Sequence, residues 1–236
     1  RVEQNAFAYS QIEEILIPST CKFFHRFQNI PLLKEINVVE GNESYRSHEG
    51  VLYEKTEYYG WMLTIYPGSK TDEVYTVVDY ADNIFVDAFL AVDVYSSGQE
   101  PYLKILNIRD CNGLDDIGKA SLSRVRCEIQ IPDTNPYYQS YDGMVLSKDG
   151  TELVQVPSKR NGTLVIPDGI TKIRKYACEY TNITELVISD PVENVESAAF
   201  WRCSKLERVR LSNRMEEVSS DMFSDCQALK DIEIPQ

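Results

Sequence analysis

Hydrophobic and polar positions recur along this chain at a fixed interval. Leu206-x-x-Val209-x-Leu211 returns 23 residues later as Leu229-x-x-Ile232-x-Ile234, and occurs 23 residues earlier as Ile183-x-x-Leu186-x-Ile188. Val209 alternates with Leu211, and Ile232 with Ile234, at period two. That alternation predicts a short strand with one buried face. Upstream of each strand lies a second unit, apolar-x-x-apolar-x-x-x-small-apolar. Its cleanest copies are Val192-x-x-Val195-x-x-x-Ala199-Phe200 and Met215-x-x-Val218-x-x-x-Met222-Phe223, and Ile170-x-x-Ile173-x-x-x-Ala177-Cys178 matches them. Apolar positions at i, i+4 and i+5 gather on one side of a short helical turn, so this unit is predicted to be helical.

The same interval fits the rest of the chain. Val2-x-x-x-Ala6-Phe7 leads into Ile12-x-x-Ile15-x-Ile17-Pro18, and Ala81-x-x-Ile84-x-x-x-Ala88-Phe89 into Leu103-x-x-Leu106-x-Ile108. Leu114-x-x-Ile117-x-x-x-Ser121-Leu122 leads into a weaker strand, Ile129-x-Ile131, and Phe27 to Val38 is a degenerate copy. A longer duplication overlies these units. Asn42-x-x-Tyr45-x-Ser47-x-Glu49-Gly50-Val51-Leu52 parallels Asn135-x-x-Tyr138-x-Ser140-x-Asp142-Gly143-Met144-Val145 at an offset of 93, and Leu63 parallels Leu153 at an offset of 90. Glu49-Gly50 and Asp142-Gly143 are turn signals followed by apolar strand residues, which predicts two similar small β-units.

The predicted fold class is therefore an α/β repeat, with one short strand and one short helical turn per roughly 23 residues. A lone repeat cannot cover its own apolar face. Stacked repeats bury it as one core, at roughly 1.5–3 kcal/mol per buried large side chain. The whole of 1–236 is read as a single domain, with β-rich inserts at about 40–78 and 133–166.

At this point the residues resemble a known family. Val195–Leu211 and Val218–Pro235 carry the pattern Ile-Pro-x-x-Val-x-x-Ile-x-x-x-Ala-Phe-x-x-Cys-x-x-Leu-x-x-Ile nearly complete, including Cys203 and Cys226. This is similar to the BspA-type leucine-rich repeat of bacterial cell-surface proteins. The hairpin signals at 49–52 and 142–146 resemble the β-rich insert of such arrays. Departures lie at 19–38 and 111–132, where Arg26 and Ser121 replace the small alanine. The resemblance implies a curved leucine-rich-repeat solenoid, secreted or on the cell surface, that serves adhesion or protein binding without catalytic residues.

Composition narrows the function further. The 236 residues carry a net charge of -13, which argues against nucleic-acid binding and against docking on anionic lipid through a basic patch. No apolar run approaches a membrane span, and no signal peptide opens the chain. His25 and His48 are the only histidines, and they leave little scope for histidine acid–base chemistry or a multi-histidine zinc site. Both ends fall inside a repeat, so more chain is expected upstream of Arg1, which would then be a processing boundary.

Outward strand positions are the first candidate contact surface. They are Glu14 and Leu16, Glu35 and Asn37, Ile105 and Asn107, Glu128 and Gln130, Glu185 and Val187, Arg208 and Arg210, and Asp231 and Glu233. The row is mostly acidic with one arginine pair. It suits a basic or mixed partner on the concave side, or it is a solvated face that serves solubility. Residues 71–116 hold ten acids (Asp72, Glu73, Asp79, Asp82, Asp87, Asp93, Glu100, Asp110, Asp115, Asp116) against Lys104 and Arg109. This is a solvated acidic face or a steering patch. Asp110, Asp115 and Asp116 do not match the spacing of an EF-hand calcium loop.

Aromatic residues form the second candidate surface. Tyr58, Tyr59, Trp61 and Tyr66 crowd the first insert, and Tyr137, Tyr138 and Tyr141 the second. By alternation about half should plug the hairpins onto the solenoid, leaving residues such as Trp61 and Tyr141 for contact with protein or sugar rings. Cys178, Cys203 and Cys226 recur once per repeat on the buried side, as expected of free core thiols, although a surface compartment permits disulfides. The expectation is a non-enzymatic protein-binding or adhesion module of a bacterial surface or secreted protein, with no cofactor, no metal and no membrane insertion by this segment. Its partner would be a protein of the host or the bacterial surface. A carbohydrate-binding module that uses the insert aromatics is the alternative.

Overall fold

The computed structural model describes residues 1–3, 6–24, 30–85, 88–89, 102–108, 125 and 127–234. Expectations that rest on His25, Arg26, Phe27, Asp87, Asp93, Glu100, Arg109, Asp110, Cys111, Asp115, Asp116, the 114–122 turn unit and Pro235 lie outside the described residues. The chain falls into two compact units, Arg1–Leu114 and Asp115–Gln236.

In the first unit, β1 (Glu14–Ile17) and β2 (Glu35–Val38) run parallel, with Glu14 opposite Glu35 and Ile15 opposite Ile36. Ile15, Ile17 and Ile36 turn inward onto Cys21, Phe24, Ile30 and Leu33, which is the period-two alternation read from the sequence. Next come β3 (Tyr45–His48), β4 (Val51–Thr56) and β5 (Gly60–Ile65), an antiparallel meander. The chain continues through β6 (Val74–Thr76), β7 (Asn83–Ile84) and β8 (Ile105–Asn107). β5 pairs in parallel with β7, and β6 with β8.

The second unit repeats this plan and extends it. β9 (Glu128–Gln130) precedes a second meander of β10 (Tyr138–Tyr141), β11 (Met144–Ser147) and β12 (Glu152–Gln155). Two parallel ladders then rise together. One is β13 (Asn161–Val165), β15 (Asn182–Val187), β17 (Arg208–Arg210) and β18 (Asp231–Glu233). The other continues from β12 through β14 (Lys172–Ile173) to β16 (Asn194–Val195). Leu164, Leu186 and Val209 occupy one register between the ladders, and Leu153, Ile173 and Val195 another, so each rung adds the same positions to one core.

The expected helical turn is not present, and no helix occurs among the described residues. The segment read as helical is a two-residue strand followed by tight turns. Its backbone donors explain why. The N–H groups of Cys178, Ala198, Phe200 and Arg202 donate to carbonyls of the next rung (Ala199, Ser220, Met222 and Ser224), at 2.8–3.1 Å. A helix would spend those donors on its own carbonyls. Tyr176, Ala198 and Asp221 have positive φ (61°, 56° and 56°), as do Tyr180, Arg202 and Asp225 four residues on (58°, 58° and 60°). A right-handed helix cannot pass through such residues. The apolar spacing was real, because Ala177, Ala199 and Phe200 are fully buried, but turns rather than helices deliver it. Three positions depart from the apolar pattern. Val218 is 55% exposed, and Ile232 on the last strand and Ile234 just beyond it are 42% and 69% exposed, since β18 pairs only with β17 among the described residues.

Candidate binding site

Each predicted outward strand residue lies at the surface or half-buried. Glu14, Leu16, Glu35, Asn37, Gln130, Arg208, Arg210, Asp231 and Glu233 are exposed, while Ile105, Asn107, Glu128, Glu185 and Val187 are half-buried. In the second unit the register sets them in two rows, Thr163–Glu185–Arg208–Asp231 and Val165–Val187–Arg210–Glu233. Thr163 Oγ1 donates to Glu185 Oε2 at 3.0 Å, and Arg208 Nε lies 3.6 Å from Glu185 Oε1. Arg210 Nη2 lies 3.8 Å from Asp190 Oδ1. These are loose, solvated pairs worth roughly 0–1 kcal/mol, so a partner's charges can replace them at small cost.

The two meanders share local architecture. At the β3–β4 and β10–β11 turns both central residues have positive φ: Glu49 and Gly50 at 47° and 75°, Asp142 and Gly143 at 49° and 74°. That is what a two-residue hairpin turn requires. Each glycine rests on a glutamate from the preceding strand. A methyl group on Gly50 would lie 3.1 Å from Glu35 Cγ, and one on Gly143 would lie 3.3 Å from Glu128 Cγ. Asn37 Nδ2 donates to Glu35 at 3.1 Å, and Gln130 Nε2 to Glu128 at 2.9 Å. Two of the candidate acids therefore also seat the hairpins. Beside Glu128 an open cleft of about 680 Å3 runs past Ser140 to Arg160, whose Nη2 donates to Asp142 Oδ2 at 2.5 Å.

The aromatic residues divide as alternation predicts. Tyr45, Tyr53, Tyr66 and Tyr138 are buried, whereas Tyr58, Tyr59, Tyr137 and Tyr141 are exposed. Phe24 N–H donates to Tyr45 Oη at 2.9 Å, and the Tyr53 and Tyr75 hydroxyls lie 2.7 Å apart in the core. Burial first, and the Tyr53 hydroxyl second, push the Tyr75 phenol well above its ordinary range. Trp61 is half-buried. The Arg46 guanidinium lies 4.3 Å over its ring and 5.2 Å from that of Tyr80, and Tyr80 meets Trp61 edge-on at 5.8 Å. A cleft of about 710 Å3 opens beside them, also lined by Glu40, Glu43 and Lys55. Sequence reading named Trp61 but missed Arg46 and Tyr80. Tyr80 reaches the site only through the parallel pairing of β5 with β7, which no local pattern announces.

A second aromatic group was also missed. Trp201 sits between Tyr176 (6.2 Å) and Tyr180 (6.0 Å), with the Arg202 guanidinium 4.3 Å over its ring. Arg202 also bonds the Tyr180 hydroxyl and Asp225, so this group is saturated by its own members. Tyr176, Tyr180 and Arg202 stand at the left-handed turn positions, and superposing the repeats would have found them.

The remaining candidates resolve into structural roles. Cys178, Cys203 and Cys226 are free, buried thiols. Cys203 Sγ donates to Cys178 O at 3.1 Å, and Cys226 Sγ to Phe200 O at 3.2 Å, each reaching back one rung. The hydrogen bond between the two thiols, with burial, holds Cys203 well above the usual thiol range; the same bond draws Cys226 down. Of the acidic segment, Asp72 pairs with Lys70 (2.6 Å), Glu73 with Lys104, and Asp82 accepts the Trp61 N–H. Among the described residues, no group of three or more His, Cys, Asp and Glu side chains is placed to hold a metal ion. Nor is any helix among them long and apolar enough to cross a membrane.

Residues 159–236 match the BspA type leucine-rich repeat region in six copies. The resemblance read from the sequence therefore holds over that segment. No curated protein matches the chain. Among solved structures it is similar to a leucine-rich cell surface protein from Faecalibacterium prausnitzii A2-165, at 21% identity over 98% of this chain and 50% of that one, with a TM-score of 0.45. It is also similar to the pneumococcal vaccine antigen PcpA (22% identity, 98% and 47% covered, TM-score 0.43). A third is a leucine-rich repeat protein from Eubacterium ventriosum ATCC 27560 (13% identity, 95% and 73% covered, TM-score 0.39). The chain spans about half the length of the first two.

Proposed function

We propose that this chain is a non-enzymatic protein-binding or adhesion module of a bacterial surface or secreted protein, and that a protein ligand docks on the exposed strand face of the second unit. One observation carries the reading. Within the BspA-type segment, the two exposed rows combine an arginine pair (Arg208, Arg210), flanking acids (Glu185, Asp231, Glu233) and an apolar end where Val165 is 56% exposed beside Val187. Mixed charge around an apolar patch is what a specific protein partner needs: the apolar part supplies affinity, and the charges supply register and exclude wrong partners. The loose ion pairs on this face leave its charges available to a ligand.

The experiment is a pull-down of extracellular host and bacterial surface proteins, followed by affinity measurement with Arg208→Glu/Arg210→Glu. Charge reversal at two interface positions should weaken binding by roughly tenfold or more. A ligand whose affinity ignores the double variant does not use this face. A second reading, saccharide contact through the first insert, is favoured by the cleft that Arg46, Trp61 and Tyr80 line.

A further inference from the structure

The duplicated meanders provide an internal comparison. At the offset of 93, Arg46 corresponds to Gln139 and Lys55 to Lys148; at the offset of 90, Trp61 corresponds to Thr151. In the second unit these positions are closed by their own bonds. Gln139 Nε2 donates to the Ser147 and Lys148 carbonyls at 3.2 and 3.0 Å, Lys148 Nζ to Asp133 O at 2.7 Å, and Thr151 Oγ1 to Asp149 Oδ1 at 2.8 Å. The hairpin scaffold therefore forms without an arginine or a tryptophan at this place. The first unit has both, beside an open cleft.

Arg46 also differs from the other arginines. Among the described residues, Arg1, Arg160, Arg174, Arg202, Arg208, Arg210 and Arg214 each have a carboxylate within 4.0 Å. Arg46 and Lys55 have none within that distance, although Glu40 and Glu43 line the same cleft. The guanidinium carbon instead lies 4.3 Å over the Trp61 ring, and its N–H groups can donate to a planar oxyanion two bonds at a time. The main chain of Trp61 is itself fixed: its backbone N–H donates to Asp82 Oδ2 at 2.9 Å, and the Asp82 backbone N–H donates to the Trp61 carbonyl at 2.7 Å. A rigid aromatic platform with a preset cation costs a ligand little ordering entropy.

We infer that this cleft binds an acidic sugar, a sialic or uronic acid residue, with its carboxylate on Arg46 and Lys55, its hydroxyls donating to Glu40 and Glu43, and its ring against Trp61 and Tyr80. The mixture of groups selects the class. Two cations alone would take any anion, but two carboxylates lining the same cleft repel a polyanion while accepting hydrogen bonds from hydroxyls. A volume of about 710 Å3 suits one or two sugar rings. The inference rests on the saccharide reading of the first insert and adds the charge requirement to it.

The test uses the whole chain with Trp201→Phe, so that Trp61 is the only tryptophan, and its emission is followed on titration with N-acetylneuraminic acid, glucuronic acid, lactose and inorganic phosphate. Saturation-transfer NMR on the unmodified chain provides a readout that needs no substitution. Saturable binding of the acidic sugars, weakened roughly tenfold or more by Arg46→Gln with the melting temperature unchanged, is the expected result. Equal binding of lactose would overturn the charge requirement and leave the saccharide reading standing. Equal competition by phosphate, or acidic-sugar binding indifferent to both Arg46→Gln and Lys55→Gln, would overturn the assignment to these cations. Binding of no sugar at all would overturn both readings.

Discussion

Asp82 occupies the space that a side chain on residue 60 would need: a methyl group on Gly60 would lie 2.0 Å from Asp82 Oδ2. Gly60 also has a φ of 62°, a conformation that costs other residues strain. The same carboxylate holds the backbone of Trp61. Gly60→Ala should therefore displace Asp82, cost on the order of 1–3 kcal/mol of stability, and loosen Trp61. Urea denaturation reports the first effect, and Trp61 emission in the Trp201→Phe background the second. A variant with unchanged midpoint and emission would show that Asp82 does not set this loop.

The core thiols should react in a defined order. Cys178 and Cys203 are fully buried, and burial alone pushes the Cys178 thiol up. Cys226 is 9% exposed, and the hydrogen bond from Cys203 favours its thiolate. In the native protein a thiol reagent should modify Cys226 well before Cys203 and Cys178; in denaturant all should react fast. Peptide mapping after timed labelling reads the order, and a Cys203–Cys226 disulfide would contradict it.

Acid should weaken the second ladder through Glu196. Burial disfavours its carboxylate, but Lys172 Nζ at 2.8 Å and the Lys175 backbone N–H at 2.8 Å more than offset this and hold its pKa below 4.5. A lowered folded-state pKa contributes stability that is complete above the unfolded value and fades as pH falls through the folded one. Both groups are partly solvated, so the contribution is at most about 1 kcal/mol. The stability difference between the natural chain and Glu196→Gln should stay constant from neutral pH to about 5 and shrink below 4.5. Chemical denaturation at several pH values checks this, and a difference that grows in acid would reverse the assignment.

Rungs should differ sharply in their tolerance of truncation. Phe200 is fully buried and stacks on Phe223 at 5.5 Å, so Phe200→Ala should cost roughly 3–5 kcal/mol. Val218 holds the apolar position of the next turn unit but is 55% exposed, and Val218→Ala should stay within about 0.5 kcal/mol. Thermal unfolding distinguishes them; equal costs would mean that the rung at 215–223 is packed as tightly as the one before it.

Much of this architecture was legible because side-chain alternation in a strand is strictly local. Leu186 and Val209 announced β15 and β17, and Glu49-Gly50 announced its hairpin through turn chemistry. The turn units were misread for a physical reason. Apolar residues at i, i+4 and i+5 suit one helical face, yet they equally suit a two-residue strand and two left-handed turns when the backbone donors go to the next rung. Such donors leave no trace in side-chain periodicity. At Tyr176, Ala198 and Asp221 the positive φ is also borne by residues other than glycine, so the usual sequence marker was missing. Arg46 and Tyr80 escaped notice because they lie 15 and 19 residues from Trp61 and meet it only through strand pairing.

The parallel ladder β13–β15–β17–β18 has a mechanical consequence. Along it each rung is tied to its neighbour by a short row of backbone hydrogen bonds, with the turn donors as a second tie, and β18 has a neighbour on one side only among the described residues. Traction on residue 234, drawn away from the sheet, loads those bonds in succession and not all at once. The ladder should therefore open like a zipper from β18 inward, in steps of one repeat, each step exposing the next turn unit. An extensible, stepwise element of this kind yields under shear while the rungs behind it stay folded.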